Sequence, residues 1–292
     1  MPITRAIIPA AGLGTRLLPL SAAVAKELLP LGPKPVLQWI GEELAASGIN
    51  RFTLVASPNK PDLDRVFRRD KALIERLRAS SQLELVARLW SEGRYGDCDI
   101  QVTIQQQQMG LGHAILCGRD QIGNHPFVVA LGDCVFGPPA ESNITKKLLD
   151  VFAIENADAV IAFETVPLAK VHRYGIAKPA DDRAVFRLDD LIEKPAPADA
   201  PSTLAVAARY AFSVEIFEYL GRIEPGIGGE WQLTDAIRLM IGDKRKVLGV
   251  RLPATVQRFD LGDYGSYVQA FAQFAAWYPP ESICPPDSKL TP

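Results

Sequence analysis

Short apolar runs alternate with stretches in which apolar residues recur every three or four positions, and this alternation predicts the order of elements. Thr4 to Ala10 is a run of small and β-branched residues that breaks into Ala11-Gly12-Leu13-Gly14, the pattern of a buried strand ending in a loop. From Pro35 to Ser47, Val36, Leu37, Ile40 and Leu44 share one helical face, with proline at the start and Gly48 just past the end. Arg51 to Ala56 predicts a second strand, and Ile100 to Gln105 a third. Between them, Pro61 to Trp90 reads as broken helix around Leu63, Val66, Phe67, Leu73, Ile74 and Leu77. A helix from Gly112 to Arg119, the apolar run Phe127 to Leu131, a helix from Asn143 to Asn156 and a strand from Ala159 to Val166 continue the series. Such alternation predicts an α/β fold with a mainly parallel, twisted sheet covered by helices on both faces.

From Gly175 the texture changes. Strands at Leu188 to Ile192 and Ala205 to Ala211 flank a Pro/Ala loop, which predicts a β-rich, mixed-sheet extension carrying half of a cleft. A helix from Leu233 to Ile241, strands at Val247 to Leu252 and Val256 to Phe259, and a helix from Tyr264 to Trp277 complete the body. Pro279 to Pro292 reads as an extended, proline-rich tail. No Pro/Ser linker interrupts the 292 residues, so a single elaborated domain is expected over residues 1–278.

Charge removes several function classes. With 32 basic against 34 acidic side chains, scattered and not clustered, the chain lacks the electrostatic footprint that nucleic acid or an anionic membrane requires. No apolar run approaches the ~18 residues of a membrane span, and the proline and glycine of the first dozen residues interrupt what would be the core of a signal peptide. A cytoplasmic location is expected. Cys98, Cys117, Cys134 and Cys284 show no CxxC spacing and no nearby histidine, so they read as reduced, small hydrophobes.

In an open α/β sheet, ligands gather beyond the carboxyl ends of the strands. The first strand delivers Ala10, Ala11, Gly12, Leu13, Gly14, Thr15 and Arg16 there. Small residues let backbone approach a planar ring or a phosphate, and Arg16 offers a planar fork to phosphate oxygens; a simple tight turn is the alternative. The loop has Leu17 where a dinucleotide fingerprint needs a third glycine, and it lacks the ending of a Walker loop. Lys26-Glu27 follows, readable also as a surface ion pair. Asp133 closes the apolar run, where a carboxylate can hold a hard cation such as magnesium or merely cap a turn. Asp260, in RFDLGD, is a second candidate. Glu193-Lys194 pairs an acceptor for hydroxyls with a cation for phosphate, or is a plain salt bridge.

AAGLGTRLLP at Ala10 to Pro19, then AKELLP and PKPVLQWI, resembles the N-terminal signature of the sugar-phosphate nucleotidyltransferases. GLGHAIL from Gly110, LGD from Leu131, Tyr174-Gly175, IEKP from Ile192 and EWQLTDAI from Glu230 extend the resemblance in collinear order over roughly residues 3 to 275. The GLGT loop favours the uridylyltransferase branch over the thymidylyltransferases.

The resemblance implies the Rossmann-like nucleotide-diphospho-sugar transferase fold, with a nucleotide part near residues 1–135 and a sugar part near 136–278. It implies magnesium-dependent transfer of UMP from UTP to glucose 1-phosphate, and a homodimer or homotetramer. Carried over residue by residue, Ala10, Ala11, Gly12, Gly14, Glu27, Gln105 and Gly110 bind the nucleotide, Gln105 reading the base. Four successive glutamines leave that register open. Arg16 and Lys26 clamp the triphosphate, Gly175, Glu193 and Lys194 hold the sugar phosphate, and Asp133 and Asp260 hold magnesium. Such chemistry joins two anions, so it needs neutralisation and alignment and no general base. His113, His125 and His172 then need no catalytic role. Same chemistry with dTTP or another hexose 1-phosphate, or a non-catalytic binding paralogue, are the alternatives. The chain departs from the family pattern at Ala25, at Gly229, at Ala207-Ala208 before Arg209-Tyr210, and at Asp263. An alanine where the family has glycine bears on which hexose fits.

Overall fold

The computed structural model describes residues 2–60, 62–68, 70–83, 86, 98–138 and 143–279. Thirteen strands occur in these segments: β1 (Arg5–Pro9), β2 (Pro30–Leu31), β3 (Lys34–Pro35), β4 (Arg51–Ala56), β5 (Asp99–Ile104), β6 (Phe127–Ala130), β7 (Cys134–Gly137), β8 (Ala159–Thr165), β9 (Gly175–Pro179), β10 (Val185–Glu193), β11 (Leu204–Phe212), β12 (Val247–Arg251) and β13 (Gln257–Asp260). Nine of them form one sheet in the order β5-β4-β1-β6-β11-β8-β12-β10-β9.

The apolar runs form central strands because both faces of each are covered. Ala6, Ile8, Val128 and Ala130 enter one core with the helices Val36–Ala46, Ile144–Glu155 and Tyr264–Trp277. Ile7, Phe127 and Val129 enter the other with Leu111–Cys117, Ile216–Leu220 and Leu233–Gly242. The period-two alternation along each strand thus sorts side chains between two hydrophobic layers. No helix among the described residues is long and apolar enough to cross a membrane.

The β5-β4-β1-β6 part is parallel, as the alternation predicts. The mixed character does not come from an appended sheet. Strand β11 inserts antiparallel between β6 and β8, and β10 runs antiparallel to β12 and β9, so the extension continues the main sheet. Four strands are absent from the sequence reading: β7, β9 and the two-residue strands β2 and β3, which pair only with each other. The predicted strand at Val256 to Phe259 is shifted one place to β13, which pairs with β7 in a separate ribbon, Asp260 opposite Cys134. The predicted broken helix is a turn of 3-10 helix, Leu63–Phe67, followed by Lys71–Ala79, whose first turn is capped by Asp70 accepting from Leu73 N. Residues 61, 69, 84, 85 and 87–90 of that stretch, the tail beyond residue 279 and Cys284 lie outside the described residues.

The register of β11 shifts between Val206 and Tyr210, and Ala208 at the bulge has φ +59°. This is the alanine that departs from the family's glycine, and it occupies backbone space that favours glycine. Arg209, fully buried, holds the bulge in place. It donates to the Ala208 carbonyl at 3.0 Å, to the Cys134 carbonyl at 3.1 Å and to both oxygens of Glu43 at 2.7 and 3.1 Å. Left-handed backbone costs an L-residue about 1–2 kcal/mol, and the extra freedom of an unfolded glycine offsets part of that. Ala208→Gly is therefore expected to raise the unfolding free energy by ~1 kcal/mol in urea titrations; a loss of stability would mean that the methyl's packing outweighs its strain.

Candidate active site

Every residue singled out as a site candidate lines one cavity of about 720 Å³ at the carboxyl ends of β1 and β6. One wall is the loop after β1. Gly14 has φ +68°, which lets the chain turn into the 3-10 segment Thr15–Leu17, and Leu17 N donates back to the Gly14 carbonyl at 2.9 Å. Lys26 runs beside this loop: a Cβ at Gly12 would lie 3.6 Å from its Nζ. The Lys26 ammonium is ion-paired with Asp133 across the sheet ends. Burial works against both charges, yet the Asp133 and Glu27 carboxylates hold Lys26 above its ordinary value, and the Lys26 contact holds Asp133 below the usual carboxylate range.

Glu27 lines the same cavity and takes Lys60, not the adjacent Lys26, as its ion-pair partner. Its side chain is wholly buried and both carboxylate oxygens accept from Lys60, at 3.0 and 2.8 Å. It lines the cavity wall with its acceptors already engaged. Burial pushes the Glu27 carboxyl up and the Lys60 ammonium down.

Asp133 and Asp260 meet through the β7–β13 ribbon, where Leu261 N donates to the Asp133 carbonyl at 2.9 Å. Asp260 accepts from Gly262 N at 2.9 Å and from Arg258 Nη1 at 3.4 Å. Arg16 lies over the same glycine: a Cβ at Gly262 would come within 2.8 Å of Arg16 Nη2 and 2.9 Å of Asp260 Oδ1. Among the described residues no group of three or more His, Cys, Asp or Glu side chains is arranged to hold a metal ion. Two carboxylates do fit a magnesium ion that takes its remaining ligands from water and substrate phosphate, because that ion prefers oxygen donors.

The opposite wall belongs to β9 and β10, whose register sets Gly175 opposite Glu193. Glu193 accepts from Thr234 Oγ1 at 2.6 Å and is ion-paired with Lys194 Nζ at 3.0 Å. A Cβ at Gly175 would stand 3.3 Å from Glu193 Oε2 and 3.4 Å from Thr234 Oγ1, so the bare backbone leaves room for that contact. Lys194 has φ +47° and donates its own N–H to the Tyr174 carbonyl at 2.9 Å.

Of the four glutamines, Gln105 and Gln108 line the cavity. Gln105 Nε2 donates to the Gly110 carbonyl at 3.1 Å and sits 2.9 Å from His113 Nδ1; Gln108 Nε2 donates to the Ala11 carbonyl at 2.9 Å. Gly110, at φ +94°, is pressed against the Glu230-Trp231 backbone, where a Cβ would meet Trp231 N at 2.9 Å. His113 packs edge-on against Trp231. The expectation that no histidine neighbours a cysteine fails at Cys117, because one helical turn brings its Sγ to 3.9 Å from His113 Nε2. Burial pushes that thiol up, and Cys117 and Cys134 form no disulfide.

Sequence reasoning missed Lys60, Arg258 and Thr234 as partners of site carboxylates. Thr234 lies inside the EWQLTDAI run that helps carry the resemblance, and Arg258 opens RFDLGD two residues before Asp260; Lys60 carries no local signal.

A cleft at strand ends, lined by a glycine-rich loop, paired cations and two adjacent carboxylates, is that of a phosphate-handling α/β enzyme, and the chain belongs to the nucleotidyl transferase family, whose model matches residues 5–276. Over 274 residues it is 35% identical to the UTP--glucose-1-phosphate uridylyltransferase of Bacillus subtilis (strain 168), covering 94% of this chain and 91% of that one. It is 37% identical over 281 residues to UTP--glucose-1-phosphate uridylyltransferase 2 of Streptococcus pyogenes serotype M1, covering 95% and 92%. A UTP-bound UGPase from Acinetobacter baumannii superposes with a TM-score of 0.86 at 29% identity, covering 96% of each chain.

A carboxylate whose folded pKa lies below its unfolded value of about 4 contributes stability that is complete above that value and lost as pH falls through the folded one. Asp133→Asn is expected to lower the unfolding free energy near neutral pH by ~2 kcal/mol, less than a fully buried pair would lose, since both side chains keep some exposure. Urea titrations at decreasing pH should show the parent and variant curves converging in acid; a constant gap would remove the ion pair from the account.

Proposed function

We propose that the chain transfers UMP from UTP to α-D-glucose 1-phosphate, releasing pyrophosphate, with magnesium as its ion. The observation that carries this reading is that the glycine loop with Arg16 and Lys26, and the Glu193-Lys194 pair, face one cavity. Two anionic substrates can therefore be held side by side.

A phosphate oxygen of glucose 1-phosphate attacks the α-phosphorus of UTP; the bond from that phosphorus to the bridging oxygen breaks, and pyrophosphate leaves opposite. The attacking oxygen is already ionised near neutral pH, so no residue has to take a proton. The work is alignment and charge compensation, which a water-poor site performs at little reorganisation cost. Arg16 and Lys26 compensate the triphosphate, and Lys26 meets the charge that grows on the leaving pyrophosphate. Gln105, with an amide donor and acceptor, faces a uracil edge beside Gly110. Glu193, oriented by Thr234, accepts from sugar hydroxyls, while Lys194 binds the sugar's phosphate. Asp133 and Asp260 would hold the magnesium ion, which supplies charge neutralisation to the phosphates when bound.

Purified protein with UTP and glucose 1-phosphate should release pyrophosphate only when magnesium is present. Turnover with dTTP or another hexose 1-phosphate in place of these would reassign the substrates, and no turnover with any of them would favour a binding paralogue. Lys194→Ala is expected to raise KM for glucose 1-phosphate about tenfold or more while leaving KM for UTP near the parent value. An unchanged response to the sugar phosphate would place Lys194 outside its site.

A further inference from the structure

Lys60 stands on the turn after β4, where its N–H donates to the Ser57 carbonyl at 3.0 Å, and the function argued above gives it no task. Its ammonium is surrounded by protein acceptors. Nζ reaches the Ala10 carbonyl at 3.0 Å, the Gly12 carbonyl at 2.6 Å and the two oxygens of Glu27 at 3.0 and 2.8 Å. Ala10 and Gly12 belong to the glycine loop. Glu27 belongs to the 3-10 turn Lys26–Leu28, so it shares a turn with Lys26. One ammonium thus ties the β4 turn to the loop and to the backbone that aims Lys26 at Asp133.

Burying this pair is expensive unless geometry compensates, since each charge leaves water. A pair kept only for stability would need the two carboxylate contacts and not the two loop carbonyls. Those carbonyls are what a loop needs fixed if its backbone is to meet a ligand in a single arrangement.

We propose that Lys60 is a positioning residue for the nucleotide: it sets the Ala10–Gly14 loop and Lys26 in the geometry that receives the triphosphate, with Glu27 acting through it as buried counter-charge. This rests on the uridylyltransferase reading for its ligand.

The test separates positioning from stability. Lys60→Met leaves the Glu27 carboxylate buried without its partner and is expected to lose much of its thermal stability. The double variant Glu27→Gln, Lys60→Met removes both charges, and its Tm is expected to return most of the way to the parent value. The loop still lacks its two donations, so the double variant should show KM for UTP raised about tenfold and the amides of residues 10–14 exchanging about tenfold faster. KM for glucose 1-phosphate should change by less than about twofold.

A double variant with parental KM for UTP and parental exchange in the loop would reduce the pair to a structural one and overturn the proposal. So would a double variant that fails to fold, because the fold should not need the ammonium once the carboxylate is gone. If the parent protein does not turn over UTP, the proposed activity falls, while exchange at residues 10–14 still decides whether Lys60 holds the loop.

Discussion

The arrangement of the cleft depends on matching three of its lysines with carboxylates before any ligand arrives. Lys26 faces Asp133, Lys60 faces Glu27 and Lys194 faces Glu193. An unpaired ammonium buried as Lys26 or Lys60 is would lose its charge or repel its neighbour, and two of them unpaired would work against packing the loop after β1 beside β6. Pairing removes that difficulty and fixes direction as well. In the first two pairs the partners come from different parts of the chain, so these pairs also fasten the strand ends together. The field offered to phosphate is therefore preorganised and needs no rearrangement of solvent when charge moves.

The sheet supplies the two walls by a change of strand direction. In the parallel part, carboxyl ends gather on one side and bring the glycine loop there. Strand β11 then runs the other way between β6 and β8, and β9 pairs with both β10 and β11, so the second wall belongs to the same sheet as the first. Arg209 sits at the junction. Through Glu43, which also accepts from Thr145 Oγ1 at 2.6 Å, it links the helix Val36–Ala46, the helix Ile144–Glu155, β7 and the bulge of β11. A buried ion pair of this sort adds little net stability and mainly penalises other arrangements of the same elements.

What was legible in the sequence follows from which forces are local. Long apolar runs such as Phe127 to Leu131 name their strands because burial on both faces leaves no other reading. The motif residues were legible because they cluster at strand ends. The strand β7 was not, since four residues between Asp133 and a proline carry no periodicity and gain their status only by pairing with β13, more than a hundred positions later. Strand β9 begins with the glycine that reads as a turn, and its partner is the far half of β10. The partners of site carboxylates failed for the same reason: Lys60 lies 33 positions from Glu27 and Thr234 lies 41 from Glu193, so no spacing rule connects them. Cys117 and His113 are the opposite case, a helical i,i+4 contact that the spacing did contain.

Strain is distributed in a way that marks the cleft. Among the described residues, five non-glycines have positive φ: Ser81, Asn156, Lys194, Ala208 and Lys244. Ser81, Asn156 and Lys244 follow the ends of helices, where a left-handed residue is an ordinary stop. Lys194 and Ala208 end no helix, and both line the cavity. Each is held by neighbours that over-determine it. Lys194 donates to Tyr174, whose ring lies under the Arg258 guanidinium at 4.9 Å, and the Ala208 carbonyl accepts from both Leu131 N and Arg209. Backbone that could relax at small cost, yet is fixed by a second layer of contacts, is what a wall needs if it must present an ammonium and a bare peptide edge at set positions. The same arrangement makes this wall sensitive to residue 208, because any side chain there must fit both the bulge and the cleft.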